Sequence, residues 1–207
     1  MKKILMSAFL ICFLLQTGFA QDKKASLGIG FGGAAASAKD LDGIKDSGFG
    51  FNFYLNGMYN INANLSAGIE YNGNAVVIAG VDPNGFNLDF KASSINGILA
   101  KGRYAFGSGS GRPYVGAMLG VYRITPGSVS ISGSGTPLQL AFESKTSFGF
   151  APEVGVMLRS FQLSTSYHLP GKYKAEIPDG SGGTRAVETT YTVWQFNIGW
   201  NIGLMDN

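Results

Sequence analysis

The chain has 207 residues, a formal net charge of +3, one cysteine and one histidine, with 45% hydrophobic residues, 13% aromatics and 31 glycines. That length suits one domain, no Lys/Arg cluster speaks for nucleic acid, and a single cysteine excludes a disulfide framework. Beyond residue 20 the longest aliphatic run, Ala75 to Ala79, is too short to cross a bilayer as a helix.

Residues 1–20 read as a secretory signal. Lys2 and Lys3 form the positive region, Ile4 to Leu15 the apolar region, and Gly18-Phe19-Ala20 the small-residue site, with cleavage expected before Gln21. The apolar run is too short for a membrane anchor. Cys12 follows Ile11 and precedes Phe13, so it belongs to the signal and not to a lipid-modified site. Removing 20 of 207 residues leaves 187, with no cysteine and a net charge lowered by the two lysines from +3 to +1.

The remainder alternates with period two, as strands do. Strands are expected near 25–34, 48–59, 64–75, 91–106, 113–125, 144–158, 161–169 and 189–203. In the first, Leu27, Ile29 and Phe31 back onto Gly28, Gly30 and Gly32. The second sets Phe49, Phe51, Phe53 and Leu55 against Gly50, Asn52, Tyr54 and Asn56, and the third sets Leu65, Ala67, Ile69 and Tyr71 against Ser66, Gly68, Glu70 and Asn72. The fourth has Ile95, Leu99, Lys101 and Arg103 on one face and Ile98, Ala100, Gly102, Tyr104 and Phe106 on the other. Lys101 and Arg103 are turned inward, because a cation facing midplane lipid costs roughly 2–4 kcal/mol. The fifth could face either way, with Val115, Ala117, Leu119 and Val121 favoured outward. The sixth sets Phe148, Phe150, Val154, Val156 and Leu158 against Gly149, Ala151, Glu153 and Gly155, and its Pro152, which lacks an N–H, predicts a bulge. The seventh sets Phe161, Leu163, Thr165 and Tyr167 against Gln162, Ser164, Ser166 and His168. The last sets Thr192, Trp194, Phe196, Ile198, Trp200 and Ile202 against Val193, Gln195, Asn197, Gly199, Asn201 and Gly203.

One face is large and apolar throughout, the other small or polar. After an export signal, this predicts an all-β, eight-stranded antiparallel up-and-down transmembrane β-barrel with lipid outside. The connections agree. Short turns at Asn60–Ala63, Gly107–Arg112 and around Ser160 alternate with long segments at 35–47, 76–90, 126–143 and 170–188. Outer-membrane barrels alternate tight periplasmic turns with long external loops, and eight strands put both termini in the periplasm. Backbone groups in lipid must all pair, so the sheet has to close.

The pattern resembles the small eight-stranded outer-membrane barrels, the group that includes outer-membrane protein A and its relatives. The stretch from Gly48 to Tyr71, GFGFNFYLNGMYNINANLSAGIEY, is similar to the hairpins of the "outer membrane beta-barrel domain" proteins of Bacteroidetes-type, Gram-negative bacteria. The resemblance covers residues 25 to 204 and implies a porin-like barrel with a plugged lumen. Such proteins often finish on an aromatic residue that assists assembly. Here Met205-Asp206-Asn207 follows Leu204, which moves the expected assembly signal inward, to Trp194 to Leu204.

Glu70, Lys101, Arg103 and Glu153 form the expected internal charge cluster. Glu70, Lys101 and Glu153 each stand some 10–15 Å above a periplasmic turn, with Arg103 slightly lower. An eight-stranded barrel is only wide enough for side chains to fill it, and buried charges must pair. A salt-bridged plug follows, with neutralising packing favoured over a rearranging gate. Facing lipid or forming interfacial girdles are Phe49, Phe51, Phe53, Tyr71, Tyr104, Phe148, Phe150, Tyr167, Trp194, Phe196, Ile198 and Trp200, the two tryptophans marking the two interfaces.

Other motifs carry less. Gly28-Ile-Gly30-Phe-Gly32-Gly33 has the letters of a dinucleotide loop but lies inside a strand, with no helix after it. Ser166 and His168 share a face but lack a nucleophile elbow and an acidic partner. Asp40, Asp42 and Asp46 do not have EF-hand spacing, and no Cys/His cluster offers a transition-metal site. No catalytic, cofactor or metal site is expected. The expected protein is a non-enzymatic monomer in outer-membrane lipid, with a structural or surface-interaction role and loops 76–90 and 126–143 as protruding sheets that could recruit a partner, mutual cover of the hairpins being favoured over recruitment. The alternatives are a narrow channel or small-molecule conduit, a soluble lipocalin-like binder of apolar ligands, and an outer-membrane lipid hydrolase.

Overall fold

The computed structural model describes residues 23–39, 45–79, 91–125, 129–131, 138–140, 143–178 and 184–206. The signal segment with Cys12, and Asp40 and Asp42, lie outside them. Eleven strands follow in order: β1 (Lys23–Lys39), β2 (Lys45–Asn60), β3 (Leu65–Ala79), β4 (Lys91–Ala105), β5 (Gly111–Thr125), β6 (Val129–Ile131), β7 (Leu138–Leu140), β8 (Lys145–Leu158), β9 (Phe161–His168), β10 (Lys172–Pro178) and β11 (Thr184–Asp206). Eight of them, β1-β2-β3-β4-β5-β8-β9-β11, pair antiparallel with their neighbours, and β1 pairs with β11 to close the sheet. Closure leaves no edge within the wall, which a sheet surrounded by hydrocarbon requires.

Local chemistry explains the tight end of the barrel. Between β2 and β3, the Asn62 side-chain oxygen accepts from the backbone N–H groups of Asn64 and Leu65 at 2.9 and 2.8 Å, an Asx turn. Between β4 and β5, Gly107 and Gly109 take φ of 71° and 111°, open to glycine at no steric cost. Only Arg159 and Ser160 join β8 to β9. The first and last described residues lie at this same end, because Lys23 pairs with Asp206 and Ala25 with Tyr59 beside the β2–β3 turn.

The opposite end carries more pairing than expected of the long segments 35–47 and 170–188. Pairing continues to Lys39↔Lys45 between β1 and β2 and to Ile78↔Lys91 between β3 and β4, and β10 pairs with the first part of β11. Much of 35–47 and 170–188 is therefore ladder, as are residues 76–79, and 126–143 carries the separate β6–β7 hairpin, while residues 80–90 lie outside the described residues. Paired strands satisfy their own backbone groups and need no membrane to do so.

Pro152 makes no bulge. The β5–β8 register runs unbroken through Ala117↔Pro152. Toward β9, Phe150 and Leu169 exchange both backbone bonds, at 2.8 and 3.2 Å. Antiparallel bonding alternates along the strand, so position 152 is the next that should donate to β9, and proline cannot. The ladder resumes at Glu153↔Ser166 in the same register. The missing bond is tolerated as a gap, with neighbouring pairs holding the alignment.

The two faces separate as the alternation predicts. Phe49, Phe51, Phe53, Tyr71, Ile98, Tyr104, Phe148, Phe150, Trp194, Phe196 and Ile198 are all exposed, Phe51 by 82%. Tyr167 and Trp200 also belong to this face but are half-covered by ring neighbours: Tyr167 lies 4.9 Å from Trp194, and Trp200 lies 4.4 Å from Phe161. On β5, Val115, Leu119 and Val121 face out while Tyr114, Met118 and Tyr122 are buried, which settles that strand. A soluble binder with its aromatics inside is excluded by this arrangement, since an exposed apolar belt of this extent would not stay in water.

Candidate functional site: the barrel lumen

The inward side chains are layered. Nearest the termini is the charge layer. Lys101, carried by β4 opposite Gly68 and Met118, holds its Nζ 2.7 Å from Glu70 Oε2 and 2.9 Å from Glu153 Oε2. Its side chain is 1% exposed. One buried ammonium between two carboxylates satisfies the demand that interior charge be paired and hydrogen-bonded. Asn56 donates to Glu70 at 3.2 Å and the Tyr114 hydroxyl to Glu153 at 3.1 Å. The Tyr54 ring lies 5.6 Å from the ammonium, within cation–π range.

Arg103 is also buried but departs from the expected cluster. Among the described residues it forms no ion pair. Its guanidinium donates to Gln162 at 3.0 Å and stacks 5.4 Å from the Tyr114 ring. Gln162 also accepts from Asn201 at 3.3 Å. The reason is position: Glu153 is already committed to Lys101, and Arg103, nearer the turn, meets β9 instead.

Above the charges is an amide layer. Gln195 of β11 spans the bore, donating to Asn72 at 2.9 Å and Asn74 at 2.8 Å on β3, and accepting from Asn52 at 3.0 Å and Asn72 at 3.1 Å. Asn52 also donates to Asn197. His168 joins here: its Nε2 is 2.9 Å from Ser166 Oγ and its Nδ1 is 2.8 Å from the Tyr122 hydroxyl. Ser166 and His168 thus meet in the bore as their shared face predicts. The ring nitrogen that a hydrolytic triad would give to a carboxylate is taken by a tyrosine.

The third layer, toward the loops, is apolar. Ala34, Ala36, Val76, Ile95, Ile124 and Val193 form one buried cluster with Leu99, Met118, Tyr122 and Ala151, capped by Tyr173 and Tyr191. Ile95, Leu99, Ala151 and Val193 lie inward as the alternation places them, but their joining with Val76 and Ile124 into one apolar layer was not expected of a bore read as mainly small or polar. Apolar residues occur on both faces of the strands at this end, where alternation alone cannot rank one face above the other.

Three buried tyrosines, Tyr54, Tyr114 and Tyr122, point into the bore, and glycines on nearby strands make room for them. The Tyr54 ring covers Gly30 and Gly199. A Cβ at Gly155 would stand 2.7 Å from the Tyr114 ring, and one at Gly149 the same distance from Tyr122. Such contacts are closer than packed atoms allow. The glycine richness is therefore the complement of the inward tyrosines. Tyr114, Tyr122, Gln162 and Gln195 were not singled out from sequence. The available signal was a glycine at the matching register position of the next strand.

No protein-family model matches the chain, and neither does any curated protein. Solved structures do. Neisserial surface protein A aligns at 19% identity over 87% of this chain and 99% of that one, with a TM-score of 0.53. Outer membrane protein AlkL, solved in lipid bilayers, aligns at 13% identity over 91% of this chain and 94% of that one, with a TM-score of 0.51. Identities this low establish architecture and nothing finer. The closed wall and its apolar exterior are those of a barrel that spans a membrane. The chain has the fold of the small eight-stranded outer-membrane β-barrels.

Proposed function

We propose that the protein is a non-enzymatic, monomeric outer-membrane barrel whose lumen is plugged, and that it works through the surface it presents outside the cell. In this reading residues 1–20 are removed on export, the termini face the periplasm and the extended strands face outward. The carrying observation is Lys101, almost wholly buried between Glu70 and Glu153. A conducting bore would keep that ammonium hydrated. Here protein groups replace its water shell, and the amide and apolar layers above add further closure. The interfacial reading of the aromatics is supported by the two ring clusters on β9 and β11, Tyr167–Trp194 and Phe161–Trp200.

Planar-bilayer recording tests the plug. The wild-type protein should add no sustained current to the bare bilayer, and Glu70→Ala should bring brief openings. Steady unitary current from the wild type would overturn the plug and favour the conduit. The absence of enzymatic activity is supported by the burial of Ser166 and His168 inside the wall, away from acyl chains. Lipid deacylation that His168→Ala abolishes would overturn it.

A further inference from the structure

At the mouth nearest the termini, two buried donors have no partner among the described residues. Arg103 is 5% exposed, and its one hydrogen bond uses Nη1, which donates to Gln162 Oε1 at 3.0 Å. Its Nε is buried and unpartnered. Gln162 is fully buried, and its Oε1 accepts from both Arg103 and Asn201. Those two donors fix the amide orientation, because a reversed amide would set donor against donor. The Gln162 Nε2 shares a carbon with Oε1, so it stays beside the guanidinium, and it too is unpartnered. Buried donors are costly to leave unpaired. We propose that this mouth is an oxyanion site: the Nε–Nη2 edge of Arg103 and the Gln162 amide hold the oxygens of a carboxylate or phosphate group. The site lies at the end opposite the surface proposed to act outside the cell and does not depend on that role.

The donors select the ligand. The side edge of an arginine, Nε with Nη2, presents two parallel N–H groups that match the paired oxygens of a carboxylate or phosphate. The carboxylates of the chain do not fill this fork. Glu153 shares the row of Arg103, with Gly116 between them. One of its oxygens accepts from the Tyr114 hydroxyl, and the other meets Lys101. Glu70 is held by Lys101 as well. The fork is thus left for a group from outside the wall.

The mouth supplies field and access. Arg112, at the start of β5, spends its Nη2 on the Ala63 and Ala105 carbonyls, and its Nε has no partner among the described residues. Among the described residues, no Asp or Glu occupies an inward position between Glu153 and this mouth. Two arginines therefore stand at the opening with no carboxylate between them and solution. A low-dielectric cleft of one sign concentrates ions of the other. Arg103 is two residues from the end of β4. Ser66 lies opposite it and Ala105 is next inward on its own strand. A group approaching along β3 and β4 passes only these two small side chains.

The test uses the folded chain in maltoside micelles, with heat-modifiable gel mobility confirming the fold of each variant. Inorganic phosphate and, separately, acetate are titrated calorimetrically over a constant background of sodium chloride, since chloride supplies charge but cannot span the fork. Both oxyanions should bind at a single site, and binding of one alone supports the site and names its ligand. Arg103→Lys keeps the charge, removes the fork, and should weaken binding about tenfold or more. Gln162→Glu sets a carboxylate against Arg103 and should abolish binding by filling the fork from within, which keeps the proposal falsifiable if Arg103→Lys does not fold. Lys145→Gln changes an exposed lysine at the far end and should leave binding as it is. A wild type that binds neither oxyanion, or a Gln162→Glu chain that binds as the wild type does, would overturn the proposal. Equal weakening by Arg103→Lys and Lys145→Gln would reduce the effect to net charge and overturn it as well.

Discussion

The two halves of the lumen are packed differently. Near the termini the bore is lined by ion pairs and amides, in which Lys101, Glu70 and Glu153 depend on one another. Toward the loops it is lined by an apolar cluster around Val76, Ile95, Ile124 and Val193. The difference teaches where each half is fragile. An ion pair fails when one partner leaves, because the other remains as buried charge. An apolar cluster fails gradually, with the volume removed.

Four substitutions probe that contrast. Lys101→Met should be the most damaging, at about 3–5 kcal/mol, because it strands two carboxylates in the bore. Urea unfolding in lipid vesicles measures it, and a loss below 1 kcal/mol would mean the carboxylates find other partners or water. Ile95→Ala, in the apolar half, should cost about 2–5 kcal/mol by the same measurement. On the proposed plug it should also admit no ion current, since the charge layer is untouched, and current would show that the two layers do not seal independently. Gly199→Ala drives a methyl group into the Tyr54 hydroxyl. Overpacking of that kind costs about 1–3 kcal/mol. Adding Tyr54→Phe should recover part of the loss, and strict additivity of the two changes would refute the packing account. The smallest effect is expected at Lys172, whose 2.5 Å pair with Glu188 is largely solvated. Lys172→Ala should change stability by about 0–1 kcal/mol, and less as salt is added.

Legibility followed the penalties. Lys101 and Arg103 could be turned inward from sequence because lipid punishes an outward cation at that depth. That choice oriented β4 and, by alternation, sent Ile98 and Tyr104 outward. Arg103 was expected to share the carboxylates, yet it meets Gln162, because two carboxylates shared among two cations is a question of angstroms around a closed ring. The Pro152 bulge was a sound local expectation that the sheet overrode, with intact register on both sides holding the strand straight. The protruding ladders near residues 76–79 were legible from their apolar β-branched run. Those of β10 and the start of β11 were not, because their charged residues read equally well as loop.

By itself the sequence determined the closed barrel, the strand count and the polarity of the wall, because period-two alternation fixes faces and hydrocarbon forbids unpaired backbone. Only the tertiary structure decided what meets across the bore: Gln195 reaching Asn72 and Asn74, and Tyr54 lying on Gly30 and Gly199. Those partners lie on strands far apart in the chain, brought together by closure and stagger of the sheet. No local pattern encodes a distance that exists only once the ring is shut.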